Sequence, residues 1–306
     1  MKHTISVLLS LLAACLLSPA LNAEQATTPR VLATLKPLHS IVFAVTDGIS
    51  EPDLLLEGNI SPHLFQVKPS HIRSLSDADV IVWAGEGVER FLPSMIKNFN
   101  PDAQSFSMLD HTEIHYLARD KHSGHDHDHG EVDSHFWLEP QNAITLAKVL
   151  ADELSRLDPH HAAQYKSNTD AFTLRIESAT VAVRELLSAA AGSRYLIYHD
   201  SLQYLERAFG LGDAIIVAPQ PQVQAGGKRL RELHSAVEDQ QVGCLIAEPQ
   251  FRSSVVAGVA EDLGVQTVLI DPLATEYSTG KDLYPDWLLD IATILAECFA
   301  SANAKQ

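Results

Sequence analysis

One helical run, from Pro159 to Ala190, contains no glycine and no internal proline, and it constrains this chain more than any other feature. Along it, Tyr165, Thr169, Phe172, Ile176, Ala179, Val183 and Leu186 recur at alternating spacings of four and three. That spacing lines one face of a helix with a single buried stripe. At 1.5 Å per residue the run would extend roughly 45 Å, enough to cross a whole domain. Gly192 ends it.

Short apolar, β-branched runs alternate with helical stretches on both sides of this helix. Before it, the candidate strands are Val31 to Leu35, Asp53 to Leu56, Val80 to Trp83 and Gln104 to Met108, with helical segments around Pro69 to Asp77 and Val88 to Asn98. After it come candidate strands near Arg194 to Tyr198, Ala214 to Val217, Gly243 to Ala247 and Val265 to Ile270, and a last helix from Tyr284 to Ala300. Alternation of this kind builds parallel sheets covered by helices. The expected fold is therefore α/β: two lobes of parallel sheet with flanking helices, joined by one long rigid helix. An N-terminal lobe would span 24–158, the linking helix 159–191 and a C-terminal lobe 192–306. A length of 306 residues suits two such units, and 46% hydrophobic with 20% charged residues is the composition of a globular core. A polar interlude, 111–133, lacks apolar periodicity and reads as a mobile loop within the first lobe.

The two ends of the charge scale narrow the function classes. With 39 acidic against 22 basic residues the formal charge is -17, which disfavours nucleic acid and anionic membrane as partners. The N-terminus reads as an export leader, residues 1–23: Lys2, an apolar run from Ile5 to Leu17, and a cleavage site at Leu21-Asn22-Ala23. The competing reading is a lipoprotein box, Leu12-Ala13-Ala14-Cys15, with a lipid anchor on Cys15. Loss of Cys15 with the leader leaves an even pair, Cys244 and Cys298. In an oxidising compartment such a pair can form a disulfide; two buried free thiols are the alternative.

Ligands of open parallel sheets bind beyond the carboxyl ends of the strands. A loop after Asp53–Leu56 delivers His63, and the segment ahead of a helix near Gln141 delivers His135. His199 directly follows one strand of the second lobe and Asp271 another. Two come from each lobe, so they meet only if the lobes face each other across a cleft. Three imidazoles and a carboxylate suit four-coordinate Zn²⁺, whereas Mg²⁺ and Ca²⁺ take mostly oxygen. A ligating imidazole also needs an acceptor for its other N–H, for which Asp133, Asp200 and Glu248 are candidates.

These blocks resemble the substrate-binding proteins of zinc and manganese ABC transporters. The resemblance is carried by Ser61-Pro62-His63-Leu64-Phe65 with Lys68-Pro69-Ser70, by Asp133-Ser134-His135-Phe136-Trp137-Leu138, and by Tyr198-His199-Asp200-Ser201 with Phe209-Gly210-Leu211. Ala247-Glu248-Pro249-Gln250-Phe251 and Asp271-Pro272-Leu273 complete it. The chain is most similar to the zinc-specific branch, which carries a His-rich loop at this place and a C-terminal cysteine pair. The resemblance implies a metal in the interlobe cleft, with His63, His135 and His199 as ligands. Some zinc members place a contributing Glu where this chain has Pro62, which leaves Asp271 or a water as the fourth ligand. A manganese-type site would put a carboxylate in place of His199. The loop histidines His122, His125, His127 and His129 are expected to collect zinc weakly, or else to be a solvated linker. The implied setting is the periplasm, and the implied partner an ABC importer permease in the inner membrane, served by a diffusing monomer. A manganese receptor, a metal-dependent adhesin and a zinc chaperone share this binding chemistry. A zinc hydrolase does not fit, because there is neither a His-Glu-x-x-His motif nor a nucleophile elbow.

Overall fold

All eight runs expected as strands become strands in a computed structural model, which describes residues 28–59, 61–62, 65–112, 132–218, 226–240 and 242–303. The expected leader, Cys15, His63 and the loop histidines His122, His125, His127 and His129 lie outside the described residues. The first sheet contains β1 (Val31–Ala33), β2 (Asp53–Leu54), β3 (Val80–Trp83) and β4 (Gln104–Ser107), all parallel, in the order β2-β1-β3-β4. The second repeats that order as β6-β5-β7-β8, with β5 (Leu196–Ile197), β6 (Ile215–Ile216), β7 (Cys244–Ala247) and β8 (Gln266–Leu269) again parallel. Every residue of β3 and β7 is buried, which explains their unbroken apolar sequences: both faces of a central parallel strand are covered.

Helices cover the first sheet: α1 (Lys36–Thr46), α2 (Pro69–Ser76), α3 (Leu92–Phe99) and the short α4 (Met108–His111). Pro37 and Pro69 lie in the first turns of α1 and α2, where a missing N–H breaks no intrahelical bond. Then α5 (Pro140–Leu157) leads into the long helix α6 (Ala162–Leu187). Around the second sheet lie α7 (Gln203–Phe209), α8 (Gly227–Gln240), α9 (Ser253–Leu263) and α10 (Leu283–Asn303).

The long helix differs from its expectation in two details. Its ends tighten into 3₁₀ turns, Pro159–His161 and Ser188–Ala190, leaving an α-helix of 26 residues, about 39 Å long. The buried stripe also ends on Leu187, while Leu186 is 44% exposed. Alternating steps of three and four average 3.5, so a straight helix drifts by about 20° per heptad. Over the three heptads from Tyr165 the drift is large enough for the next residue to replace Leu186. Gly192 follows with φ of 72°, in the left-handed region that glycine adopts freely, and turns the chain away.

α6 packs against α1, α5 and α10, so elements of both lobes share it. One contiguous core runs from Leu32 and Ile81 of the first sheet, through Phe172 and Ile176 of α6, to Ile197 of β5 and Trp287 of α10. A smaller core on the opposite face of the second sheet joins Leu196, Tyr198 and Leu245 to Leu233 of α8 and Val256 of α9. Cys244 and Cys298 form a disulfide between β7 and α10, with Cα atoms 5.8 Å apart. Polar bonds also cross between the halves. Lys36 Nζ donates to the carbonyls of Thr275 and Tyr277 at 2.5 and 2.7 Å. Trp137 Nε1 donates to Pro272 O, and Tyr284 Oη to Trp137 O.

Candidate metal centre

Where the strand order of an open parallel sheet reverses, adjacent loops leave in opposite directions and open a crevice. In the second sheet that point lies between β5 and β7, and their following loops carry His199 and the turn Glu248 to Phe251. In the first sheet the equivalent point, between β1 and β3, is filled by Glu89. This fully buried carboxylate accepts hydrogen bonds from Thr34 Oγ1 at 2.5 Å, Ala84 N at 3.2 Å and Gly85 N at 3.0 Å. Burial pushes its pKa up to about 7 against the pull of these donors. The first lobe therefore reaches the cleft from elsewhere, through the loop after β2 and the segment ahead of α5.

That segment presents His135, which is 6% exposed. Asp133 accepts from both its backbone N–H, at 2.9 Å, and its ring Nδ1, at 2.8 Å, all with one carboxylate oxygen. His199, on the second lobe, has Nδ1 3.0 Å from Glu248 Oε1. The two imidazole rings stand 5.1 Å apart, centroid to centroid, edge to face. An unprotonated carboxylate only accepts, so each pairing places the proton on Nδ1 and leaves Nε2 as the lone-pair nitrogen. Of the three carboxylates considered from sequence, the structure pairs Asp133 and Glu248 with the rings, while Asp200 acts on His135 through its charge.

Between the rings is a cavity of about 20 Å³, bordered by Ser61 and Pro62, by His135 and Trp137, and by His199, Glu248 and Gln250. Its walls come from both halves of the chain. Ser61 and Pro62 immediately precede His63, so the loop that carries it does reach the cavity, though His63 itself lies outside the described residues. Among the described residues no three His, Cys, Asp or Glu side chains stand together as a metal-holding group.

Asp271 sits just behind the cavity wall and is heavily engaged. Its Oδ1 accepts from Gln250 Nε2 at 2.8 Å and Leu273 N at 3.0 Å; its Oδ2 accepts from Thr275 N and Thr275 Oγ1, both at 2.5 Å. All four of its lone-pair directions are in use. It can ligate a metal only by giving up one of these bonds.

The sequence profile of the zinc-uptake complex component A, periplasmic (ZnuA), matches residues 31–298. The chain belongs to this family. The high-affinity zinc uptake system protein ZnuA of Brucella suis biovar 1 (strain 1330) is 32% identical over 305 residues, covering 88% of this chain and 91% of that protein. Its counterpart in Yersinia pestis is 28% identical, with 94% and 96% covered. A crystal structure of ZnuA superposes with a TM-score of 0.77 at 21% identity, over 89% of this chain and 99% of that one. A manganese-bound structure of the substrate-binding protein FpvC from Pseudomonas aeruginosa gives 0.76 at 22%, over 90% and 100%. These structures share the two-lobed fold with the chain.

In this ZnuA-family chain the electrostatics of the cleft are those of a cation trap. Burial alone would lower the pKa of His135, but the hydrogen bond and charge of Asp133, with Glu248 and Asp200 beyond, raise it on balance. Burial alone would raise that of Glu248, but the His199 imidazole, with His135 beyond, holds it below the usual carboxylate range. A buried imidazole, His135, and a half-buried one, His199, each backed by a buried carboxylate, favour positive charge at the cavity, and a divalent cation supplies it without a proton. No helix among the described residues is long and apolar enough to cross a membrane.

Proposed function

We propose that this chain is the periplasmic receptor that captures Zn²⁺ and delivers it to the permease of an ABC importer. The observation that carries this reading is the convergence of His135 and His199, one from each half and each anchored by its own carboxylate, on a cavity sized for one small ion. His63, His135 and His199 are the proposed protein ligands. The fourth position falls to water, or to Asp271 once it releases a hydrogen bond. A nitrogen-rich set suits borderline Zn²⁺ better than harder Mn²⁺, which takes more oxygen. Family membership supports the zinc assignment, since the relatives are named high-affinity zinc uptake proteins.

In this reading the protein is a carrier and not an enzyme. It works as a soluble monomer after the leader is removed, and Cys15 leaves with it. The histidines His122, His125, His127 and His129 form an auxiliary, low-affinity collector for the same ion. Protons compete with the metal for the free Nε2 lone pairs, so affinity falls as pH drops through the histidine range.

The test is a competition titration of the mature protein with Zn²⁺ and Mn²⁺, repeated on His199→Ala. The expected result is one tight, zinc-preferring site that the substitution sharply weakens. Weak, multiple binding that His199→Ala leaves unchanged would refute the receptor reading.

A further inference from the structure

The turn after β7 carries a polar atom that the rest of the cleft leaves unanswered. Gln250 Nε2 donates to Asp271 Oδ1 at 2.8 Å, and because that carboxylate can only accept, the bond decides which way round the amide sits. The carbonyl oxygen Oε1 is thereby turned away from Asp271. It is buried, and no group among the described residues donates to it.

Neither neighbour is placed to relieve it. Asp271 is held by the four bonds given above. The Glu248–Phe251 turn is closed by Phe251 N donating to Glu248 O at 3.2 Å, and Asn59 Nδ2 reaches across from the first lobe to Pro249 O at 3.1 Å. Gln250 borders the same cavity of about 20 Å³ as His135 and His199. Buried carbonyls without a donor are rare in native proteins and commonly point to a water or an ion.

We propose that Gln250 is a positioning residue for the cargo: its Oε1 accepts a hydrogen bond from the water that completes the coordination of zinc. This rests on the receptor reading and deepens it. A water on Zn²⁺ is a stronger donor than bulk water, because the cation draws electron density from its oxygen. A neutral carbonyl accepts that bond without adding a second charge to the site. Asp271 acts one step behind, orienting Gln250 rather than touching the metal. The water and its carbonyl partner then occupy the place where a harder cation would demand a carboxylate.

Two measurements test this. In a crystal structure of the zinc-loaded protein, a zinc-bound water should lie within hydrogen-bonding distance of Gln250 Oε1. In solution, Gln250→Met, which keeps the volume but not the acceptor, should weaken zinc binding by about tenfold, as loss of an outer-shell partner does. It should also change the visible absorption spectrum of the Co²⁺-loaded protein, while the circular dichroism of the metal-free form stays that of the wild type. A protein oxygen in the fourth position, whether from Asp271 or Gln250 itself, overturns the proposal. So does zinc affinity within twofold of wild type, or a tenfold loss with an unchanged Co²⁺ spectrum, the mark of altered packing alone. If Gln250→Met does not fold, the zinc-loaded crystal structure decides by itself. Failure of the receptor reading would look different: the wild-type protein would then lack a single zinc site that His199→Ala weakens.

Discussion

Breaking the Cys244–Cys298 disulfide should cost the folded protein about 4 kcal/mol, a figure that follows from its place in the chain. The two cysteines are 54 residues apart in sequence, and both are buried. Cross-linking a loop of that length removes about 14 cal/mol/K from the unfolded chain in the loop-entropy relation, which gives the same 4 kcal/mol at 25 °C. In the folded state the bond ties β7, whose following turn presents Glu248 and Gln250, to α10, which helps to close the core shared by both halves. Reduction is a cleaner perturbation than substitution, because it keeps both sulfur atoms and opens no cavity. The assay is urea unfolding of the wild-type protein, oxidised and in the presence of a phosphine reductant, followed by far-ultraviolet circular dichroism. A fall in the thermal midpoint on the order of 10 °C should accompany the loss. A loss below about 1 kcal/mol would refute the reasoning, since loop closure in the unfolded chain would then not be what the bond acts on.

Glu89 gives a pH-dependent prediction. Its folded pKa, about 7, lies above the ordinary value of 4.5. Between those values the folded protein keeps a proton that the unfolded chain releases, so this group's contribution is fully present below the lower value and lost as pH rises through the upper one. The span corresponds to about 3 kcal/mol. The stability difference between wild type and Glu89→Gln, measured by urea unfolding at pH 4 and pH 8, should therefore shift by that amount towards the variant at the higher pH; a difference independent of pH would refute it. Lys36→Met removes a cation that bonds two carbonyls of the other half, and should destabilise by about 2 kcal/mol in the same assay. A change within 0.5 kcal/mol, about the size of an ordinary surface substitution, would mean that the Lys36 bridge contributes nothing net.

Much of the fold was legible because its signals are periodic. Eight apolar runs announced eight strands, and the stripe from Tyr165 to Val183 announced α6. The ends are less legible: seven of the eight strands are one to three residues shorter than their apolar runs, Val80–Trp83 alone matching, and the stripe ends on Leu187 rather than Leu186, because periodicity weakens where a pattern stops. The helix expected from Val88 begins at Leu92, since Glu89 is drawn into the sheet by Thr34, Ala84 and Gly85. In the site, His135 and His199 could be found because histidines beside strand ends are chemically conspicuous. The choice of Asp133 and Glu248 over Asp200 as ring partners could not, since it depends on side-chain direction across a cleft. Gln250 was visible only as one residue of a motif. Its significance lies in which of its two atoms faces Asp271, and a sequence does not record that.

The same packing that makes the fold legible bears on how capture could be signalled. A receptor whose lobes turned freely about a hinge would keep two separate cores, joined by strands or loops with few shared contacts. Here one core passes through α6 into both halves, and the halves are further tied by Lys36, Trp137 and Tyr284. Rotating the lobes apart would expose Phe172 and Ile176, and a fully buried side chain of that size is worth roughly 1.5–3 kcal/mol. Coordination by a few side chains would have to offset many such losses for a wide swing to follow metal binding. The segments that meet the cavity are held far more lightly: the loop after β2 touches the second half through Asn59, and the turn at Glu248 is irregular. We therefore expect loading to rearrange those two segments and leave the relation of the sheets unchanged. Hydrogen exchange of the protein with and without Zn²⁺ should show new protection at residues 57–59, 61, 248 and 250–252, with none in α6. Protection spread along α6 would instead mean that the shared core itself responds.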